Sequence, residues 1–165
     1  MAEILDSGLR REFETGAVRD MAEGKGRCDL MPLDVVAQIM NDSILAEIAS
    51  YRQTGSLVCL YNALRYFIAK RYESMAEAML ELSVHFEEGA KKYGEYNWQK
   101  GLPPSSFIDS GVRHYFKWLR GDEDERHDRA FMWNIVCLIW TDKNEPGVTR
   151  SLDEVKAEMF AGGND

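Results

Sequence analysis

The chain has 165 residues, of which 45% are hydrophobic and 29% charged, and this predicts one soluble domain with a sizeable core over residues 1–165. Its net charge of −8 argues against a nucleic-acid-binding protein, because such proteins hold phosphate backbones with surplus Lys and Arg. No apolar run is long enough to cross a membrane, and the N-terminus lacks the basic and apolar segments of a secretory signal, so we expect a cytoplasmic protein.

The first 31 residues are polar and interrupted by glycines, which predicts an ordered N-terminal arm with short turns. Within this arm, glycines alternate with Lys25 and Arg27, so free backbone amides and two cations could cradle a phosphate. The spacing of a Walker A loop is absent, and an ordinary turn is the favoured interpretation of this segment.

Beyond Pro32, apolar residues recur at helical spacing in segments that Gly and Pro separate. Ser74 and Glu77 have the spacing of a capping box, and Gly94 and Gly121 are placed to end helices. No long segment alternates convincingly with a period of two. The sequence therefore predicts an all-α bundle of five or six helices, over residues 33–50, 57–70, 74–93, 106–119 and 122–141, with a short helix after Ser151.

The predicted helix over residues 74–93 carries adjacent carboxylates at Glu87 and Glu88, which the helical period places on different faces. Glu87 shares its stripe with small and largely apolar residues, so we expect it to point inward and to need a cation as partner. Glu88 lies on a stripe with Glu81 that we interpret as solvated. An ion pair between Glu87 and Lys91, four residues later, is the structural alternative.

The predicted helix over residues 106–119 has a basic face formed by Arg113, His114 and Lys117. Arg offers a fork for phosphate oxygens and Lys a compact charge, so this face is a candidate phosphate site. Asp109 is either a cap near the start of the helix or a ligand. For an isolated helix, a solvated basic face is the favoured interpretation.

Glu125 and Asp128 lie three residues apart near the start of the last long helix, so they share a face and can bind Mg²⁺. The alternative is an acidic helix start that the helix dipole favours, although Asp128 lies one turn further in. Asn134 lies within the apolar run of the same helix and needs hydrogen-bond partners. It is either a structural clamp or a ligand contact.

The segment after residue 93 places Tyr93, Asn97 and Trp98 close to the first carboxylate helix, where aromatic faces could stack on a base. No nucleophilic triad is evident, because the chain has no G-x-S-x-G motif and no cysteine with an adjacent histidine. The chemistry that the residues favour is therefore binding of a metal and a phosphate rather than covalent catalysis.

Taken together, these segments resemble a known family, the dATP/dGTP diphosphohydrolases, which are common in phages and prophages and similar to MazG-like all-α nucleotide pyrophosphatases. The matching blocks follow one another in the same order over roughly residues 13–141. They are Gly16-Ala-Val-Arg-Asp, Glu23-Gly-Lys-Gly-Arg-Cys-Asp-Leu, Glu87-x-Gly-Ala-Lys-Lys-Tyr-Gly with Asn97-Trp, Asp109-Ser-x-x-Arg-His, and Glu125-x-His-Asp with Trp133-Asn.

The resemblance implies hydrolysis of a purine deoxynucleoside triphosphate, dATP or dGTP, to the monophosphate and pyrophosphate with Mg²⁺ or Mn²⁺. It places the metal and phosphate groups on the helices of residues 74–141. The Glu125–Asp128 pair matches the E-x-x-D half of the MazG-like pattern, whereas the E-x-x-E half is incomplete around Glu87. Asp109, Asp124 or Asn134 would complete the ligand set.

The roles that follow from the resemblance divide into three groups. Metal ligands are Glu87, Glu125, Asp128 and Asp109, and catalytic groups are Glu87, Glu125, Asp128 and His114, the last for proton transfer or phosphate binding. Substrate contacts are Lys25, Arg27, Lys91, Lys92, Tyr93, Asn97, Trp98, Arg113, Lys117 and Asn134. The family also implies a homo-oligomer, a dimer or tetramer, with residues 33–70 as the candidate interface, in a bacterial or phage-infected cell.

Two other functions remain open on the sequence. The His127-Asp128 dipeptide, with His85 and His114 upstream, is typical of HD-type phosphohydrolases, which use a transition metal and in some cases release triphosphate. His85 lies on the stripe that we interpret as solvated, which makes it a poor ligand. The other alternative is a nucleotide-sensing helical module without turnover, which the incomplete carboxylate pattern at Glu87 keeps open.

Overall fold

The computed structural model of the chain describes residues 8–144, most of which lie in six α-helices. The helices are α1 (Leu33–Met40), α2 (Ser43–Thr54), α3 (Leu57–Arg71), α4 (Met75–Tyr93), α5 (Pro104–Arg120) and α6 (His127–Asn144). Two strands precede them, β1 (Arg10–Glu12) and β2 (Val18–Asp20), and short 3-10 turns lie at Cys28–Leu30 and Asn97–Lys100. The prediction of an all-α bundle is confirmed, apart from the small sheet.

That sheet is a hairpin in the arm, where the sequence predicted only turns. The strands are antiparallel, with Arg11 opposite Arg19, and Gly16 closes the turn at a φ of 81°. Strands of three residues are too short to show a period of two, which explains why the pattern was missed. The hairpin is tied to the helices, because Asn97 accepts a hydrogen bond from the Val18 amide at 3.0 Å and donates one to its carbonyl at 2.9 Å.

The predicted helix over residues 33–50 is wrong in one respect, because it is two helices. Asn41 adopts a left-handed conformation with φ of 50° and ends α1. The Asp42 carboxylate then accepts a hydrogen bond from the Leu45 amide at 2.9 Å and caps α2. The break depends on one Asn and one Asp, so the apolar period continues across it undisturbed.

The next three helices are close to their predicted bounds because local signals set their ends. The Ser74 hydroxyl caps α4 by accepting from the Glu77 amide at 3.1 Å, and Gly121 ends α5 in a left-handed conformation. The last long helix begins at His127 rather than Asp122, so residues 122–126 form a loop that leads into it. The helix predicted after Ser151 lies outside the described residues.

The core gathers around α6, which packs against α5, α4 and α3 and is buried along most of its length. Its Phe131 ring lies 4.6 Å from Phe67 and 5.2 Å from Tyr115, measured between ring centroids. These aromatic contacts fix α5 and α6 side by side and so position the polar residues at one end of both helices. Within residues 8–144, no helix is long and apolar enough to span a membrane.

Candidate functional site

A cavity of about 460 Å³ lies between the arm and one side of α4, α5 and α6. Its volume is in the range of small-molecule binding sites. Although the chain as a whole is acidic, the cavity is lined by five Lys and Arg side chains and only three carboxylates. The cations are Arg11, Arg19, Lys25, Arg113 and Lys117, and the carboxylates are Asp20, Asp109 and Glu125.

Arg19 projects from β2 into the wall of this cavity. Its guanidinium donates to the Ser106 carbonyl at 3.2 Å, the Ser110 hydroxyl at 3.1 Å and the Asn134 amide oxygen at 3.2 Å, and it lies 5.5 Å from the Trp133 ring. All of these partners are neutral, and within residues 8–144 no carboxylate forms an ion pair with it. Burial lowers the pKa of Arg19 to about 10, which still leaves it charged at neutral pH. An enclosed cation without a counter-ion favours an anionic ligand.

Asn134 and Asn97 line the cavity, but the amides of both bind the protein itself. Asn134 donates to the Ala130 carbonyl at 2.8 Å and accepts from Arg19, whereas Asn97 holds both backbone groups of Val18. Asn134 thus makes the hydrogen bonds of a structural clamp, and Asn97 does so as well, while the substrate contacts predicted for both stay predictions. Both residues position Arg19, one through its guanidinium and one through its strand.

A second group of contacts ties the glycine-rich part of the arm to α5. Arg113 forms an ion pair with Asp109 at 2.5 Å and donates to the Gly26 carbonyl at 2.9 Å. The other oxygen of Asp109 accepts from the Cys28 amide at 2.7 Å. Asp109 therefore neutralises Arg113 and orders residues 26–28, with both oxygens already bound to protein groups.

Two histidines meet where the loop after α5 leads into α6. Their Nδ1 atoms, from His114 and His127, lie 2.9 Å apart, and the Glu125 Oε2 atom lies 3.9 Å from each of them. On the far side of the ring, the His127 Nε2 atom lies 2.7 Å from the Asp124 carboxylate. Burial, followed by the charge of His127, holds the pKa of His114 well below its usual value. His114 and Glu125 line the cavity, whereas His127 lies behind them.

The predicted inward orientation of Glu87 is wrong. Its side chain is 65% exposed and pairs with Lys91 at 2.9 Å, which is the alternative considered for it. The face of α4 that packs inward carries Ala78, Leu82 and His85, so Glu88, three residues after His85, is only 19% exposed. A helix with small residues on two faces does not reveal from its sequence alone which face is covered.

Asp128 is buried, but away from the cavity and among cations. Arg126 and Arg71 lie 2.9 Å and 3.0 Å from its carboxylate, and the Tyr72 hydroxyl donates to it at 3.1 Å. Burial makes the largest single contribution and raises the pKa of Asp128, but the hydrogen bonds and charge of Arg126, the hydrogen bond from the Arg129 amide and the charge of Arg71 together lower it to about 2. Its two neighbouring arginines neutralise it, and this leaves little attraction for a metal.

The four carboxylates predicted as metal ligands are not brought together. In the described part of the chain, no three of Glu87, Asp109, Glu125 and Asp128 have oxygens within 4.8 Å of one another. Of the four, Asp109 and Glu125 line the cavity. Two residues three apart on a helix would share a face, but Glu125 precedes the helix, so it diverges from Asp128.

Of the other predicted substrate contacts, some line the cavity and others pair with residues of the protein itself. Tyr93, Lys25 and Lys117 line the cavity together with the residues already described. Lys92 forms a buried ion pair with Asp20 at 2.7 Å. Their substrate roles stay predictions.

Three further predicted contacts lie outside the cavity lining. Trp98 packs edge-on against Phe86 and Trp140, at centroid distances of 5.6 Å and 5.0 Å, as part of the core. Lys91 is exposed beside Glu87, and Arg27 pairs with Asp29 at 2.7 Å. A loop aromatic that completes a core and one that stacks on a base have the same sequence signal.

Arg11, Arg19 and His85 are among the cavity residues that the sequence analysis did not identify. Arg19 stands in one of the quoted blocks but received no role, because the hairpin that directs it was not recognised. His85 was placed on a solvated stripe, yet it is 9% exposed and lines the cavity, and its Nδ1 atom has no hydrogen-bond partner among residues 8–144. Burial lowers the pKa of His85 to about 4, so it is neutral at pH 7.

Comparison with known proteins adds one finding. A sequence model described as dATP/dGTP diphosphohydrolase, N-terminal, matches residues 62–151, more than half of the chain. The match begins in α3 and includes all of α4, α5 and α6, so it contains the helical side of the cavity but not the arm. No curated protein and no solved structure matches the chain.

Proposed function

The chain belongs to the dATP/dGTP diphosphohydrolase family, and on that premise we propose that it hydrolyses a purine deoxynucleoside triphosphate to the monophosphate and pyrophosphate. The cavity between the arm and the helices is the proposed substrate site. The observation that carries the proposal is Arg19, a charged side chain enclosed among neutral partners in that cavity. An anion entering the cavity supplies the counter-charge that these partners lack.

The other cations of the cavity extend this site. Arg113 and Arg19 present forked guanidinium groups suited to phosphate oxygens, whereas Lys25 and Lys117 contribute compact charges. Because the chain carries a net charge of −8, a triphosphate is repelled by most of its surface and attracted by this cavity. The charge distribution thus favours a small phosphorylated ligand over a long nucleic acid.

In the proposed reaction, a water molecule attacks the α-phosphorus and the bond from that phosphorus to the α–β bridging oxygen breaks. The water loses its proton to solvent and pyrophosphate leaves with the bridging oxygen. Negative charge grows on the phosphate oxygens and on the leaving group, and Arg19 and Arg113 are placed to stabilise it. We assign the orientation of the attacking water to the Glu125 carboxylate, which lines the same cavity.

Mg²⁺, which the family resemblance implies, does not fit the carboxylates predicted to hold it. Glu87 pairs with Lys91 at the surface, and Asp109 and Asp128 each lie against arginines. Of the three carboxylates that line the cavity, Asp20 pairs with Lys92 and Asp109 with Arg113, and Glu125 lies beside His114.

The HD-type alternative is not favoured by the geometry. His127 turns toward His114, whereas Asp128 turns toward Arg126 and Arg71, so the dipeptide does not present its two side chains to one ion. The expected products are therefore the monophosphate and pyrophosphate rather than a deoxynucleoside and triphosphate.

Product analysis tests this proposal. The purified protein is incubated with each of the four deoxynucleoside triphosphates and with GTP, in Mg²⁺ and in Mn²⁺, and the products are resolved by ion-exchange chromatography. Purine monophosphate plus pyrophosphate is the expected result. Triphosphate release would contradict the bond assignment, and tight nucleotide binding without any product would replace the enzyme by a nucleotide sensor.

We also propose that the chain forms a homo-oligomer, a dimer or tetramer, through residues 33–70. The support is a set of exposed apolar side chains on α1 and α3, of which Ile39 is 79% exposed and Val58 63% exposed. Light scattering behind a sizing column should give the mass of an oligomer, and Ile39→Glu should shift it to the monomer. A monomeric wild-type protein would contradict this proposal.

A further inference from the structure

We propose that His114, His127 and Glu125 bind one divalent transition-metal ion through the two Nδ1 atoms and a carboxylate oxygen. This site differs from the carboxylate set expected for Mg²⁺, and Glu125 is the one residue common to both. Its test by direct metal binding does not depend on whether the protein hydrolyses a nucleotide.

The spacing of the three ligand atoms matches an ion of the zinc class. Metal–nitrogen and metal–oxygen distances of roughly 2.0–2.2 Å in a tetrahedral site place neighbouring ligand atoms about 3.3 Å apart. Here the Nδ1 atoms of His114 and His127 lie 2.9 Å apart, and each lies 3.9 Å from the Glu125 Oε2 atom. Small rotations of the three side chains therefore suffice to enclose an ion.

Asp124 supplies an independent argument. Its carboxylate accepts from Nε2 of His127 at 2.7 Å, which fixes the proton of a neutral ring on Nε2 and leaves the Nδ1 lone pair directed at His114. A carboxylate that orients a histidine from behind is a regular feature of metal sites, because it fixes the tautomer and increases the basicity of the ligand. Lys117 in turn lies 3.3 Å from Asp124 and holds it in place.

A hydrogen bond between the two rings is the alternative account of their contact. With the His127 proton on Nε2, this account requires His114 to carry its own proton on Nδ1. It explains the distance of 2.9 Å between the two nitrogens, but it gives no role to the Glu125 oxygen that lies 3.9 Å from each of them. The ion accounts for all three atoms together.

A second cluster near the same loop is a weaker candidate. Asp122, Asp124 and the Nε2 side of His127 also lie within reach of one ion. However, Asp122 pairs with Arg120, and Asp124 pairs with Lys117. Cations thus already neutralise both carboxylates, whereas the Nδ1 side of His127 faces a neutral ring and Glu125.

The donor set predicts the class of metal. Two imidazole nitrogens and one carboxylate suit Zn²⁺, Co²⁺, Ni²⁺ or Fe²⁺, whereas Mg²⁺ prefers an all-oxygen shell. Three protein ligands leave a coordination position open, as in catalytic zinc sites. His114 and Glu125 line the cavity, so the site adjoins the space in which Arg19 and Arg113 are proposed to bind phosphate.

Cobalt titration of the whole, chelator-treated protein tests the site. One equivalent of Co²⁺ should bind and give visible absorption bands of a site with nitrogen ligands, and Zn²⁺ should abolish them by displacement. A large excess of Mg²⁺ should leave them unchanged. Absence of binding, or equal displacement by Mg²⁺, would overturn the assignment.

Variants identify the ligands in the same titration. His114→Ala and Glu125→Gln should each weaken Co²⁺ binding by about 10²-fold or more, and Glu125→Gln covers the case in which a histidine variant fails to fold. The matched controls are Glu87→Gln, which removes the carboxylate first expected to bind a metal, and Asp122→Asn, which breaks the second cluster. Both controls should bind Co²⁺ as the wild type does, and a loss in either equal to that of Glu125→Gln would contradict the ligand set.

The metal titration and the product analysis therefore test the metal site and the proposed reaction separately. Co²⁺ binding by the two histidines without any nucleotide product would preserve this site and refute the proposed reaction. Hydrolysis with Mg²⁺ alone, by a protein that binds no Co²⁺, would preserve the reaction and refute this site.

Discussion

In the helices, Asp109 and Asp128 pair with arginines, whereas Arg19 of the arm lies among neutral groups. Asp109 neutralises Arg113, and Asp128 lies between Arg126 and Arg71. Arg19 by contrast donates to a carbonyl, a hydroxyl and an amide. These carboxylates and arginines of the helices thus already have counter-charges within the protein, whereas the function proposed above gives Arg19 its counter-charge through a phosphorylated ligand.

The family match also separates the helices from the arm. The matched residues 62–151 contain the paired charges of α5 and α6, whereas Arg19 and the hairpin lie outside the match. The arm is nevertheless attached to the helical part, since Asn97 in the matched segment forms two hydrogen bonds with the backbone of Val18. We infer that the two parts form the cavity together, and that separating them should affect substrate binding more than folding.

Removing the carboxylate at the centre of the helical pairs should have the largest effect on folding. Asp128→Asn removes the buried counter-charge of Arg71 and one of the two carboxylate partners of Arg126, which keeps Glu81, and we expect a cost of about 3 kcal/mol. Urea unfolding followed by circular dichroism measures this loss in the free energy of unfolding. The exposed Glu87→Gln should change it by less than about 0.5 kcal/mol. Equal effects of the two variants would contradict the structural role of Asp128.

The second prediction concerns pH and the buried His85. Its folded-state pKa is about 4, against 6.5 for an unperturbed histidine, so between these values the unfolded chain binds a proton that the folded chain does not. The free energy of unfolding should therefore fall as the pH drops from 6.5 to 4, by about 3 kcal/mol at most. His85→Gln should flatten this part of the pH profile, and an unchanged slope would refute the low pKa.

A smaller loss in the free energy of unfolding is expected when the hydrogen bonds between Asn97 and the hairpin are removed. Asn97→Ala removes two hydrogen bonds and leaves both backbone groups of Val18 without these partners, for a cost of about 1–3 kcal/mol. Hydrogen exchange at the amides of residues 10–20 should accelerate, and the KM for the substrate should rise, because Arg19 follows Val18 on the same strand. Unaltered exchange in the hairpin would show that Asn97 does not hold it.

The helices were largely predictable because their ends depend on neighbouring residues. Ser74, Gly94 and Gly121 mark boundaries that need no information from elsewhere in the chain. The division of residues 33–50 was not seen because Asn41 and Asp42 interrupt the backbone without interrupting the apolar period. The sequence thus predicts which residues are helical better than it predicts where one helix ends and the next begins.

The site was less predictable because it depends on contacts between distant segments. Which of Glu87 and Glu88 faces inward is set by the helices that cover α4. The approach of His114 to His127 requires the turn at Gly121 and the loop that follows it. The lysines and arginines of α5 and the arm were identified by residue type, but their pairing with carboxylates was visible only in three dimensions.

The central claim is that Arg19 supplies the charge that binds the triphosphate, and the steady-state kinetics of Arg19→Gln test it most directly. The matched control is Arg65→Gln, which removes an exposed guanidinium on α3 that does not line the cavity. With folding verified by circular dichroism, we expect kcat/KM for dATP or dGTP to fall by about 10²-fold or more in Arg19→Gln and to stay at the wild-type value in the control. An Arg19→Gln protein with the activity of the control would contradict the claim.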